Sequence, residues 1–184
     1  MKVFLNPGHA PNGNPDPGAC GWGLRECDVA KSVADLVEDY LTAAGVAVVG
    51  NLQSDDLYEI VTTSNRSDAD VFISIHCNAF SGTAHGTETW HYYGSGAGAK
   101  LAQCIQDQIT TSLGSLDRGV KGAKPGVNGL YVLNNTDAVA VLVELAFIDN
   151  ESDAALLREQ QDDFARAIAR GVTDYEARCG DDNA

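Results

Sequence analysis

The chain has 184 residues, 44% hydrophobic and 21% charged, and its 26 acidic against 12 basic residues leave a net charge of −14. That length and balance fit one globular domain with its own core and exclude wholesale disorder. So acidic a surface repels nucleic acid phosphate and anionic lipid, and no apolar run approaches the roughly 20 residues of a membrane span, so neither nucleic acid binding nor membrane insertion is expected.

The chain enters a strand at Lys2 without the basic and apolar stretches of a secretory signal. The expectation is therefore either release by another route or a leader trimmed from this sequence. After the strand, residues 6–23 are rich in Pro, Gly and Asn and read as a long loop, a length that tends to be functional. A helix follows from Glu26 to Ala44, with Val29, Val33, Leu36 and Tyr40 on one face and Gly45 as its stop. Val46 to Val49 is a short strand, and Asp55 or Asp56 caps a helix burying Leu57, Ile60, Val61 and Ser64. Val71-Phe72-Ile73-Ser74-Ile75 is a continuous apolar run typical of a strand covered on both faces.

Thr87 to Tyr93 reads as a further strand, followed by a helix bearing Leu101, Cys104, Ile105 and Ile109. An open, Gly-rich stretch from Gly114 to Gly129 holds a short strand at Val120, and Leu130 to Leu133 and Val139 to Val143 are the last two strands. Ser152 opens a short helix, and Phe164, Ile168, Val172 and Tyr175 mark a final amphipathic one. The expected fold is α/β: a single domain over residues 1–178, with a mostly parallel twisted sheet of about six strands, helices on both faces, and a frayed polar tail over 179–184.

Three strands deliver reactive side chains to what should be one sheet edge, where ligands of open α/β sheets sit. Lys2 to Gly8 delivers His9, Val71 to Ile75 delivers His76, and Val139 to Val143 delivers Glu144. Two imidazoles and a carboxylate suit catalytic zinc, which keeps three protein ligands and an open position. Glu26 is the third candidate, since the glycine-rich loop lets the chain double back beside His9. By position alone each admits a plainer role: hydrogen-bonded strand-end histidines, and a helix-start glutamate that complements the dipole. Glu144 closes so apolar a run that it must find a cation, such as Arg66 or Arg118, or hold a proton.

His91 reads as an exposed or half-buried strand neighbour. The five cysteines, at 20, 27, 77, 104 and 179, lack CxxC spacing and are odd in number. They are expected as buried or free thiols, leaving open a local Cys20–Cys27 bridge or a closed zinc site that recruits a thiolate.

These pieces resemble the zinc-dependent N-acetylmuramoyl-L-alanine amidases of the autolysin and endolysin type, built on a six-stranded α/β sheet. The resemblance is carried by Asn6-Pro7-Gly8-His9, by Glu26, by Ser74-Ile75-His76-Cys77-Asn78-Ala79, and by Val143-Glu144-Leu145-Ala146-Phe147-Ile148-Asp149-Asn150. It implies one catalytic zinc held by His9, Glu26 and His76, with Glu144 as the catalytic glutamate. It further implies that the partner is peptidoglycan, cleaved between N-acetylmuramic acid and L-alanine by a monomer acting at the cell wall.

Four positions depart from the family pattern. Ala10 replaces a glycine, Asn51-Leu52-Gln53 lacks an arginine, Asn134 stands where an arginine is usual, and Asp137 to Val139 lacks a proline. A long polymer needs an open groove, for which 114–129 and 83–93 are the expected walls. Two other readings remain: a catalytically silent wall-binding or regulatory domain of the same fold, and a zinc carboxypeptidase.

Overall fold

The computed structural model describes residues 1–181. Its main sheet is built from β1 (Lys2–Pro7), β4 (Ala47–Asn51), β5 (Val71–Asn78), β6 (Thr87–Tyr92), β7 (Asp117–Ala123) and β8 (Val139–Phe147). A small hairpin of β2 (Cys20–Gly21) and β3 (Leu24–Arg25) lies within the first long loop. The strand order is β4-β1-β5-β8-β6-β7, with β4, β1, β5 and β8 mutually parallel and β6 antiparallel to β8. The expected mostly parallel, six-stranded α/β domain is what forms.

Period-two burial divides the sheet into two faces. Val3, Leu5, Ile73, Ile75, Val141, Val143 and Leu145 point to the face covered by α1 (Glu26–Ala43), α3 (Gly96–Leu113) and α6 (Gln161–Asp181). These helices pack closely: a Cβ on Gly171 of α6 would lie 2.6 Å from the Cα of Ile105 in α3. Phe4, Phe72, Ala140 and Leu142 point to the other face, covered by α2 (Leu57–Arg66) and α4 (Tyr131–Asn135). His76 and Glu144 share the parity of this second face. The short α5 (Glu151–Glu159) is capped by Asn150, one turn after β8.

Two elements differ from the sequence reading. Leu130 to Leu133 is not a strand: Val132 and Leu133 are buried on the five-residue helix α4. As a helix the run buries Val132 and Leu133 against the second face, in one cluster with Phe72, Ala140 and Leu142, rather than extending the sheet at an outer edge. The proposed frayed tail is helical as far as Asp181, and the rest of it lies outside the described residues. Leu57, expected to be buried, is 48% exposed at the first turn of α2.

Candidate active site

Two parallel strands end side by side. Pro7 of β1 pairs with Ile75 of β5, and His76 is opposite Glu144 of β8. His9 follows β1 with a φ of 66°, a left-handed turn that swings its ring back toward His76. The rings lie 5.1 Å apart at 74°. Gly8 is forced by this approach, because a Cβ there would meet His76 Cε1 at 2.4 Å.

Glu26 reaches the same point from the first turn of α1, as the hairpin folds the long loop back on itself. Its two-residue turn, Trp22-Gly23, has positive φ at both positions, the type I′ geometry that matches strand twist. Trp22 is held there by its indole N–H donating to the Asp149 carbonyl (3.2 Å) and by Arg158 donating to its own carbonyl (2.6 Å).

Glu26 is buried, and its two oxygens divide between the histidines: Oε1 lies 2.9 Å from His76 Nδ1 and Oε2 lies 2.9 Å from His9 Nε2. The backbone N–H groups of Ala19 and Cys77 also donate to it. His9 Nδ1 is 2.7 Å from Asp16, which leaves Nε2 facing the shared point. Burial lowers the His9 pKa, but its hydrogen bonds to the Glu26 and Asp16 carboxylates outweigh it and raise the value to about 9. Burial would raise that of Glu26, and its bonds to His76 and His9 instead hold it well below the ordinary carboxylate range.

Two imidazole nitrogens and a carboxylate, all within 4.8 Å of one another, can hold a metal ion. Zinc fits the donors by type and number, and among the described residues this group contains three protein ligands and no fourth. Cys77 points into the core on the opposite face, so no thiolate closes the site, and Cys20 and Cys27 form no bridge.

Glu144 sits one strand over from His76. Its side chain is partly covered, and Oε2 is buried with no hydrogen-bond partner. Burial raises its pKa to about 7; the His76 charge opposes the shift, while Glu26 and Glu88 add to it. A cavity of about 280 Å³ opens beside His9 and His76, with Asp16, Asp55, Leu57, Ile60, Leu130 and Leu142 in its lining.

A family model described as N-acetylmuramoyl-L-alanine amidase matches residues 3–174. The chain belongs to this amidase family. The N-acetylmuramoyl-L-alanine amidase LytC of Bacillus subtilis is 37% identical over 94% of the chain, which spans 35% of that protein's length. The germination-specific amidase of the same organism is 34% identical over 97% of the chain and 81% of its own length. Among solved structures, an N-acetylmuramoyl-L-alanine amidase from Clostridium difficile superposes with a TM-score of 0.85 at 30% identity, covering 96% of each chain.

In this amidase, the four residues singled out in the sequence converge at one end of the sheet. The suggested cation partners of Glu144 do not reach it: Arg118 pairs with Glu88 instead, and Arg66 is exposed at the end of α2. His91 is half-buried, its Nδ1 2.8 Å from the Tyr92 carbonyl. The deep wall of the cleft comes from α2 and α4 rather than from 114–129 and 83–93, whose strands β7 and β6 flank Glu144 on its other side.

Two residues escaped the sequence reading. Asp16 orients His9 from within a Pro-rich loop, where no periodicity announces a contact. Gln53 stands in the segment where the family often has arginine, and its amide donates to the carbonyls of Gly8 (3.0 Å) and Cys27 (2.8 Å), tying the His9 turn to the helix that carries Glu26.

Proposed function

We propose that the domain is a zinc hydrolase cleaving the amide bond between the lactyl group of N-acetylmuramic acid and L-alanine in peptidoglycan, at the cell wall. His9, Glu26 and His76 would hold one catalytic zinc, and Glu144 would act as base and then acid. Bound there, zinc would acidify a water and polarise the scissile carbonyl.

The chain's own residues supply the rest. Asp16 fixes the His9 tautomer, and Glu26 holds both imidazoles from a buried position, so the donors need no rearrangement before the reaction. Glu144 takes the proton of the attacking water and returns it to the departing alanine nitrogen. A carboxyl with a pKa near 7 can do both at neutral pH.

The observation that carries this reading is the unpartnered, buried Glu144 oxygen next to three convergent metal donors. A structural glutamate in so apolar a place would have found a cation, yet Arg118 and Lys121 are committed to Glu88. A silent wall-binding domain would have no need of such a group.

The test is mass spectrometry of purified peptidoglycan after digestion. Stem peptides with a newly free alanine amine, abolished by a chelator and restored by zinc, support the reading. Intact peptidoglycan, or release of a C-terminal residue instead, refutes it.

A further inference from the structure

The site face carries a row of three side chains in register: His76 on β5, Glu144 on β8 and Glu88 on β6. Glu88 directly opposes Glu144, a placement that brings Cβ atoms to about 4.5–5.5 Å. Glu88 is 4% exposed, and Arg118 and Lys121 of β7 both donate to its Oε2. Its Oε1 accepts from the Trp90 indole at 3.1 Å.

The ratio of charges here is unusual for this chain. Elsewhere Lys2, Lys31, Arg25 and Arg170 each face an aspartate of their own, and Arg166 faces two. At Glu88 two bases share one acid, in a protein of net charge −14. Both cations keep solvent contact, with side chains 30% and 32% exposed, and both rest on aromatic faces: Arg118 4.7 Å from the Phe147 ring and Lys121 5.3 Å from that of Trp90. Arg118 Nη1 has only a long bond to the His85 carbonyl, at 3.3 Å. Among the described residues no acceptor faces Nη2 or the remaining Lys121 hydrogens. Glu88, which opposes Glu144 across the strand pair, thus fixes two partly exposed cations with spare donors.

We propose that Arg118 and Lys121 form a carboxylate-binding subsite for an acid group of the peptide on the amine side of the scissile bond. The side follows from the row. Glu144 hands its proton to the departing nitrogen, so the ground beyond it, away from the histidines, lies toward the peptide. A guanidinium and an ammonium fixed by a buried acid recognise a carboxylate by charge-assisted hydrogen bonds, which an isosteric amide cannot match. The subsite rests on the amidase reading but can fail independently of it.

The test uses muramoyl dipeptides whose second residue ends in a free carboxylate or in the corresponding carboxamide. Hydrolysis is followed for wild type, Lys121→Gln, Lys121→Arg and Arg118→Gln, and binding of the two released dipeptides is measured by calorimetry. Wild type should show a KM about tenfold lower for the acid, the worth of one charge-assisted bond at a partly exposed cation. In Lys121→Gln and Arg118→Gln the ratio should fall toward one with the KM for the amide little changed, and Lys121→Arg should keep the preference. A purely structural role would shift both substrates together and leave the ratio intact, overturning the subsite.

Hydrolysis of both substrates at equal KM by wild type also overturns it while the amidase reading stands. No hydrolysis, with acid-selective dipeptide binding retained, keeps the subsite and removes the amidase reading; no hydrolysis and no selectivity removes both.

Discussion

Gly18 is the tightest test of how the proposed metal donors are held. It adopts a φ of +69°, and a Cβ there would lie 2.5 Å from His9 Cδ2 and 2.7 Å from Glu26 Oε2. Gly18→Ala therefore combines two effects. The left-handed conformation costs an alanine about 1–2 kcal/mol of folding stability. The methyl group must also displace one or both donors, and neither moves freely. His9 is tied to Asp16, and Glu26 is buried under two backbone N–H donors.

A displaced donor set should cost about 10–100-fold in zinc affinity, or about 1.4–2.8 kcal/mol. Gly114→Ala is the control, since that residue has a φ of +63° with nothing within 4 Å of the new Cβ and caps a helix away from the site. Thermal unfolding of the metal-free proteins should show similar losses for both variants. Zinc competition against a chromophoric chelator should show a loss only for Gly18→Ala. Wild-type zinc affinity in folded Gly18→Ala would refute the reasoning that this backbone is packed against the donors.

Other consequences follow from the same geometry. Glu144→Gln should retain zinc and lose roughly 10²–10⁴ in rate, the usual worth of a positioned acid and base; near-native turnover would remove Glu144 from the mechanism. The same variant, metal-free, carries a sign prediction in pH. A carboxyl raised from 4.5 to about 7 on folding takes stability away as pH climbs through that window, so Glu144→Gln should exceed wild type most clearly above pH 7 and the gap should close below pH 4.5. Zinc uptake at pH 7.5 should release a proton from His9, whose pKa near 9 keeps it charged without metal, and affinity should rise with pH up to about 9. Calorimetry in buffers of differing ionisation enthalpy reads this release directly, and zero release would contradict the assignment. Gln53→Ala should weaken zinc binding by about tenfold with kcat of the loaded enzyme little changed, because Gln53 ties the two donor-bearing segments and touches neither donor. Unaltered affinity would show that the tie is dispensable.

The convergence of the four candidate side chains was legible because each follows a sharp local signal: two histidines and a glutamate at the ends of apolar strands, and a glutamate at a helix start after a glycine-rich loop. The antiparallel setting of β6 has a signal in the sequence too. Residues 79–86 are too few to carry the chain back across the sheet, which a parallel return from β5 would require. What the sequence concealed were contacts with no periodicity. Asp16 meets His9 through a loop held by prolines, and Glu88 looks like a solvated strand residue until Arg118 and Lys121 arrive from an edge strand thirty-odd positions later. Leu130 to Leu133 has strand composition but packs as a helix over the second face, so tertiary context overrides its propensity.

The most direct measurement is a crystal structure of the zinc-loaded protein with anomalous data at the zinc edge. The account predicts one peak about 2.0–2.2 Å from a nitrogen of His9, a nitrogen of His76 and an oxygen of Glu26, with a solvent-filled fourth position facing Glu144. A peak elsewhere, or one closed by a further protein donor, would contradict it.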